Sequence, residues 1–172
     1  MRNLLSKETE SNFSKLGIYQ VIGGSVGILI MLWGIFNNFE TTLLSILLYS
    51  LILLFFSYSI YCGLMCLLKR KSALPHSLAN QLLQVLGFSI AGYAYNYIAG
   101  VYMTINLDFT NSINVSVGFG LSSFKFYINN DQDQFQISLN IVAILIIYWI
   151  DKLMSKVKEE AALRQINSLG DA

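Results

Sequence analysis

Hydrophobic positions along this chain gather into four long apolar runs, at about residues 16–36, 42–68, 77–102 and 137–153. Each is close to the ~20 residues a helix needs to cross the hydrocarbon core of a bilayer. In the third run, stepping alternately by four and three gives Ser77, Gln81, Gln84, Phe88, Ala91, Tyr95, Ile98 and Tyr102, one face of a helix. Amide side chains do not face lipid tails without a partner, so this seam is expected to look inward, with Gln84 and Ala91 as packing residues. The first run places Gly23, Gly27 and Gly34 on one stripe. Gly23-x-x-x-Gly27 allows close backbone approach, either between helices of one chain or in an oligomer. The second run has a comparable face of Thr42, Ser45, Tyr49, Ile52, Phe56, Ser59, Gly63 and Cys66.

After the third run the period changes to two. Ile105, Leu107 and Phe109 alternate with Asn106, Asp108 and Thr110, and the same pattern recurs through Ile113–Leu121, Phe124–Ile128 and Phe135–Leu139. Alternation of this kind predicts strands, here a small antiparallel sheet over about 104–136 with a hairpin loop at Asn129–Gln134. An isolated hairpin is marginal in water, so the apolar face is expected to lie over the outer end of the helices. The sequence therefore predicts a mainly α fold: one integral membrane domain, a four-helix transmembrane bundle with a small antiparallel β element between helices 3 and 4 on the extracytoplasmic side.

Composition agrees with a membrane location. Hydrophobic residues make up 55% of the 172 and charged residues only 12%, with mean hydropathy +0.56; soluble domains carry roughly 25% charged residues. Every Lys and Arg except Lys125 falls on the side that four spans assign to both termini and to the Lys69-Arg70-Lys71 turn. The positive-inside rule makes that side cytoplasmic, with residues 154–172 as a cytoplasmic tail. The richness in Asn, Ile, Leu, Ser and Tyr fits an AT-rich bacterial genome, and with it the bacterial inner membrane.

Candidate chemistry is sparse. The apolar runs hold no Asp, Glu, Lys, Arg or His in their bodies, which removes the usual machinery of proton relays and charged-substrate carriers. Cys62 and Cys66 sit a turn apart, outside any CxxC motif, and His76 has no acidic or cysteine neighbour in sequence. No catalytic residue, metal site or cofactor is expected, and a net charge of +1 gives no nucleic-acid footprint. The reading that remains is a non-enzymatic membrane protein acting by contact, as an accessory subunit or partner-binding protein of immunity type. Its partners would be the lipid bilayer and a protein at the outer β edge, Ile113 to Ile128. The alternative is a neutral or lipidic ligand bound in the outer half of the bundle by Tyr49, Ser50, Tyr95 and Asn96.

Overall fold

The computed structural model describes residues 5–37, 42–70, 72–128 and 133–170, with side chains described as far as residue 166. The chain runs α1 (Lys7–Asn37), α2 (Leu43–Leu67), α3 (Ala73–Val85), β1 (Leu86–Ile90), β2 (Tyr93–Asp108), β3 (Asn114–Ile128), β4 (Phe135–Asn140) and α4 (Ile141–Gly170).

The first two helices form where uniform apolar sequence meets good capping. Glu8 and Glu10 lie in the first turn of α1, where carboxylates favour the helix dipole. Thr42 caps α2 by accepting a hydrogen bond from Ser45 N at 3.1 Å. The two helices pack through glycine. A Cβ on Gly17 would fall 2.7 Å from Gly63 O, and one on Gly63 would fall 2.6 Å from Gly17 O. Both are long and apolar enough to cross a membrane, and only 28% and 17% of their most apolar windows are buried within the chain.

The fold is α+β, and it overturns the expected four-span bundle: among the described residues there are four helices, of which two are candidate membrane spans. The third expected span divides. Its first part is α3, with Pro75 in the first turn, and at Leu86 the backbone becomes extended. The rest is β1 and the first arm of β2, joined by a turn in which Ala91 (φ 50°) and Gly92 (φ 84°) are left-handed. The cause is packing. Tyr93, Tyr95 and Tyr97 also alternate with period two, and strand geometry lets Tyr97 enter the aromatic core against Phe55 and Phe56 of α2. The fourth expected span divides as well, into β4 and the start of α4. Asn140 marks that boundary, its Oδ1 accepting from Ala143 N at 3.4 Å.

The expected strands are present but paired differently. The expected strands at 113–121 and 124–128 merge into one, β3 (Asn114–Ile128), which pairs antiparallel with β2. The strand β4 pairs with β1 and β2 rather than with β3. Most of the expected hairpin loop, residues 129–132, lies outside the described residues. The sheet does not cap the helices but runs beside them: Phe124 to Tyr127 border a groove shared with Met31, Ile35, Tyr49 and Ile52.

Two cores result. One joins Phe13, Leu16, Met65, Cys66, Leu74, Ile150 and Leu153 where α1, α2, α3 and α4 meet. The other joins Met31, Ile52, Phe56, Tyr97 and Ala99 where α1 and α2 meet the sheet.

Candidate functional site

The sheet closes on itself because β2 folds back halfway along. Its first arm pairs with β1 through residues 93–95, its second pairs with β4 through 104–108, and β1 pairs with β4. The bend falls where the β2–β3 register shifts between Ile98 and Val101. Gly100 there has φ 118°, a conformation open to glycine and strained for other residues. Three hydrogen bonds fasten the bend, two of them to α1. Ser122 Oγ accepts from Gly100 N at 3.0 Å and donates to Gly23 O at 2.8 Å, and Tyr19 OH donates to Val101 O at 3.0 Å.

Folding β2 back makes a cup with a polar inside and an apolar outside. Inside, Ser89, Asn96, Tyr102, Thr104, Asn106, Lys125, Gln136 and Ser138 border a cavity of about 220 Å³, together with Gly118 and the stacked rings of Phe88 and Tyr95. Gly118 and Gly120 of β3 stand opposite Thr104 and Tyr102 in register. A Cβ at either glycine would lie 2.7 Å from the Thr104 or Tyr102 hydroxyl. These glycines let the polar side chains of β2 lean across the wall. Outside, Val101, Val115, Val117, Phe119 and Leu121 form one apolar face, exposed from 46% at Leu121 to 71% at Phe119. Among the described residues, no strand pairs with the free edge of β3.

Beneath the bend lies a buried polar cluster contributed by α1, α2, α3 and β2. Gln84 Oε1 accepts from Ala99 N at 2.8 Å while its Nε2 donates to Asn80 O at 3.1 Å. Asn80 Nδ2 donates to Ser59 Oγ at 3.2 Å, Ser59 Oγ to Gln20 O at 3.1 Å, and Ser77 Oγ to Gln20 Oε1 at 3.0 Å. Tyr97 OH donates to Phe55 O at 2.8 Å and lies 3.2 Å from Asn80 Oδ1. This cluster joins the helices to the sheet and carries no charge.

The residues singled out from sequence separate into different places. Tyr49 borders the groove between β3 and the helices, Ser50 lies on an open face of α2, and Tyr95 and Asn96 border the cup. Gly23 and Gly27 are buried in close contacts, Gly34 has open space around it, and Ala91 is in the β1–β2 turn. Cys62 and Cys66 are buried and unbridged, and His76 Nδ1 lies 3.1 Å from Tyr58 OH. No group of His, Cys, Asp and Glu able to hold a metal occurs among the described residues. Sequence reasoning missed Tyr102, Thr104, Asn106, Gln136 and Ser138 as cup residues; the alternation in 101–108 was the available signal. Comparison with family models, curated proteins and solved structures finds no match for this chain.

Proposed function

We propose that this chain is an integral membrane protein that works by contact, presenting the free edge of β3 to a protein partner. Two observations support insertion. The spans α1 and α2 leave most of their apolar surface uncovered, and the outer face of the sheet adds Val115, Val117 and Phe119 to it. A soluble monomer rarely exposes contiguous apolar area beyond a few hundred Å².

The free edge of β3 carries the contact reading. Because the sheet runs beside α1 and α2, it shares their depth in the membrane. An unpaired strand edge in hydrocarbon leaves backbone N–H and C=O groups without partners, at several kcal/mol each. Insertion and a free edge together call for an added strand. Residues 114–121 are uncharged and alternate apolar outside with small polar or glycine positions inside. The matching partner is an uncharged extended segment of another membrane protein, with the same alternation. Catalysis has no part in this reading.

The test is a photoreactive amino acid in place of Val117, irradiated in intact membranes. A discrete protein adduct, absent when the probe replaces exposed Leu54 of α2, is the expected result. Adducts with lipid alone would overturn the proposal. An adduct between two copies would make the partner a second copy of this chain.

A further inference from the structure

We propose that the polar cup is a binding site for a phosphate ester, either a small soluble one or the headgroup of an anionic phospholipid. The cup differs from the open edge: its residues point to the other face of the strands and do not take part in strand addition.

Its chemistry is that of a donor-rich, singly cationic site. Lys125 borders the cup across the strand pair from Asn96, and the described residues give it no ion pair. It is also the one basic residue in the part of the chain built from the sheet. Two described carboxylates belong to the turns around the cup: Asp108, which accepts from Thr110 N at 2.9 Å beyond the second arm of β2, and Asp133, next to Gln134, whose Oε1 accepts from Ser89 Oγ at 2.8 Å. Around Lys125 the cup offers hydroxyls from Tyr102, Thr104 and Ser138 and the amide of Asn106. A cation surrounded by neutral donors suits an oxyanion with several acceptor oxygens, and excludes a second cation by repulsion.

Size narrows the class. A cavity of about 220 Å³ equals the liquid volume of roughly seven waters at ~30 Å³ each. This is more than a bare phosphate fills, and it leaves space for a short hydroxylated arm such as glycerol. The glycines of β3 contribute to that room. At Gly118 a side chain would collide with Thr104 Oγ1, so a residue with a Cβ there would close the cup from the wall.

The test uses the full chain in maltoside micelles, which contain no phosphate. Glycerol 3-phosphate is titrated at constant ionic strength, and thermal unfolding is read. The expected result is a saturable rise in Tm, with Lys125→Met weakening apparent affinity at least about tenfold, as expected for loss of one charge-assisted contact. Lys158→Met, at an exposed position on α4, should leave the rise intact. If the free ester has no effect, phosphatidylglycerol is added to the micelles against an uncharged glycolipid. A rise with phosphatidylglycerol alone, reduced by Lys125→Met, identifies the headgroup as the ligand. No rise with either probe overturns the proposal, and so does a rise that Lys125→Met leaves unchanged. Should Lys125→Met fail to fold, Gly118→Val is the second variant. It fills the cup without removing charge and should abolish the rise; an unchanged rise there also overturns the proposal. Failure of this titration leaves the crosslinking result at Val117 standing, because the two readouts use opposite faces of the sheet.

Discussion

Replacing Gly23 with alanine should be among the most damaging single-methyl additions in the molecule. The new Cβ would lie 2.6 Å from Ala99 C and 2.7 Å from Ala99 O, atoms of a bent strand rather than the tip of a flexible side chain. Overpacking of this kind costs ~1–3 kcal/mol. Relief requires α1 and β2 to separate, which stretches the Gly100 N–Ser122 Oγ and Ser122 Oγ–Gly23 O hydrogen bonds, each worth about 1 kcal/mol net. Alanine in a helix interior returns up to about 1 kcal/mol relative to glycine. The expected net loss is therefore about 2–4 kcal/mol. Gly34 is the internal control, because nothing lies within 4 Å of a Cβ there. Gly34→Ala should be neutral or stabilising by up to ~1 kcal/mol. Gly27→Ala should fall between the two. Its methyl would overlap the Phe56 ring, which is held between Tyr97 and Phe124 but is still a side chain. Reversible unfolding in mixed micelles, followed by far-ultraviolet circular dichroism, ranks the variants. If Gly23→Ala came within about 0.5 kcal/mol of Gly34→Ala, the bend of β2 would not be docked on α1 as described.

Tyr97→Phe removes the buried hydroxyl that joins α2 and α3 to the sheet, and should destabilise by about 1–2 kcal/mol in the same assay. Glu160 accepts from Ser6 N, Ser6 Oγ and Thr9 Oγ1 at 2.9, 2.6 and 2.7 Å. Burial pushes its carboxyl up, but these bonds and nearby Lys156 outweigh that and hold it below the usual carboxylate range. A lowered native value means the stabilisation is full above the unfolded carboxylate pKa and is lost as pH falls through the native one. The stability gap between wild type and Glu160→Gln should accordingly shrink on acidification, in unfolding curves taken from pH 7 downwards. If the chain is inserted as proposed, it should stay in the pellet after alkaline carbonate washing. Reporters fused at each terminus should then signal the same compartment; opposite signals would refute the layout.

The two long helices were legible because mainly apolar residues run without a charge for more than a bilayer's thickness, and nothing in a strand competes with that. The third run was ambiguous in a specific way. Ser77, Gln81 and Gln84 do sit on one helical face, and all three are buried. Beyond Val85, however, Tyr93, Tyr95 and Tyr97 satisfy a period of two as well as a shorter stretch of helical spacing. When both faces of a segment are apolar, periodicity alone cannot separate strand from helix. The turn that decides the matter is Ala91-Gly92, with left-handed backbone at a residue that gives no hint of it. At the fourth run the signal was present: Asn140 stands between a β-alternating stretch and a helical one, and it acts as the cap.

The cup was not legible, and the reason is topological. Alternation in residues 101–108 and 114–121 reports that one face is polar, but not whether that face meets water or another strand. Here the answer depends on β1 pairing with β4 more than forty residues away, and on β2 bending at Gly100 so that both arms join the same ring. If the chain is inserted as proposed, the same bend lets polar residues sit at the depth of α1 and α2. Thr104 and Asn106 of β2 border the cup, while Val115, Val117 and Phe119 of β3 turn out. A flat sheet with this sequence would have to bury one face in the bundle and leave the other to a single environment. Curling it separates the two faces, and among the described residues it leaves the outer edge of β3 without a partner strand.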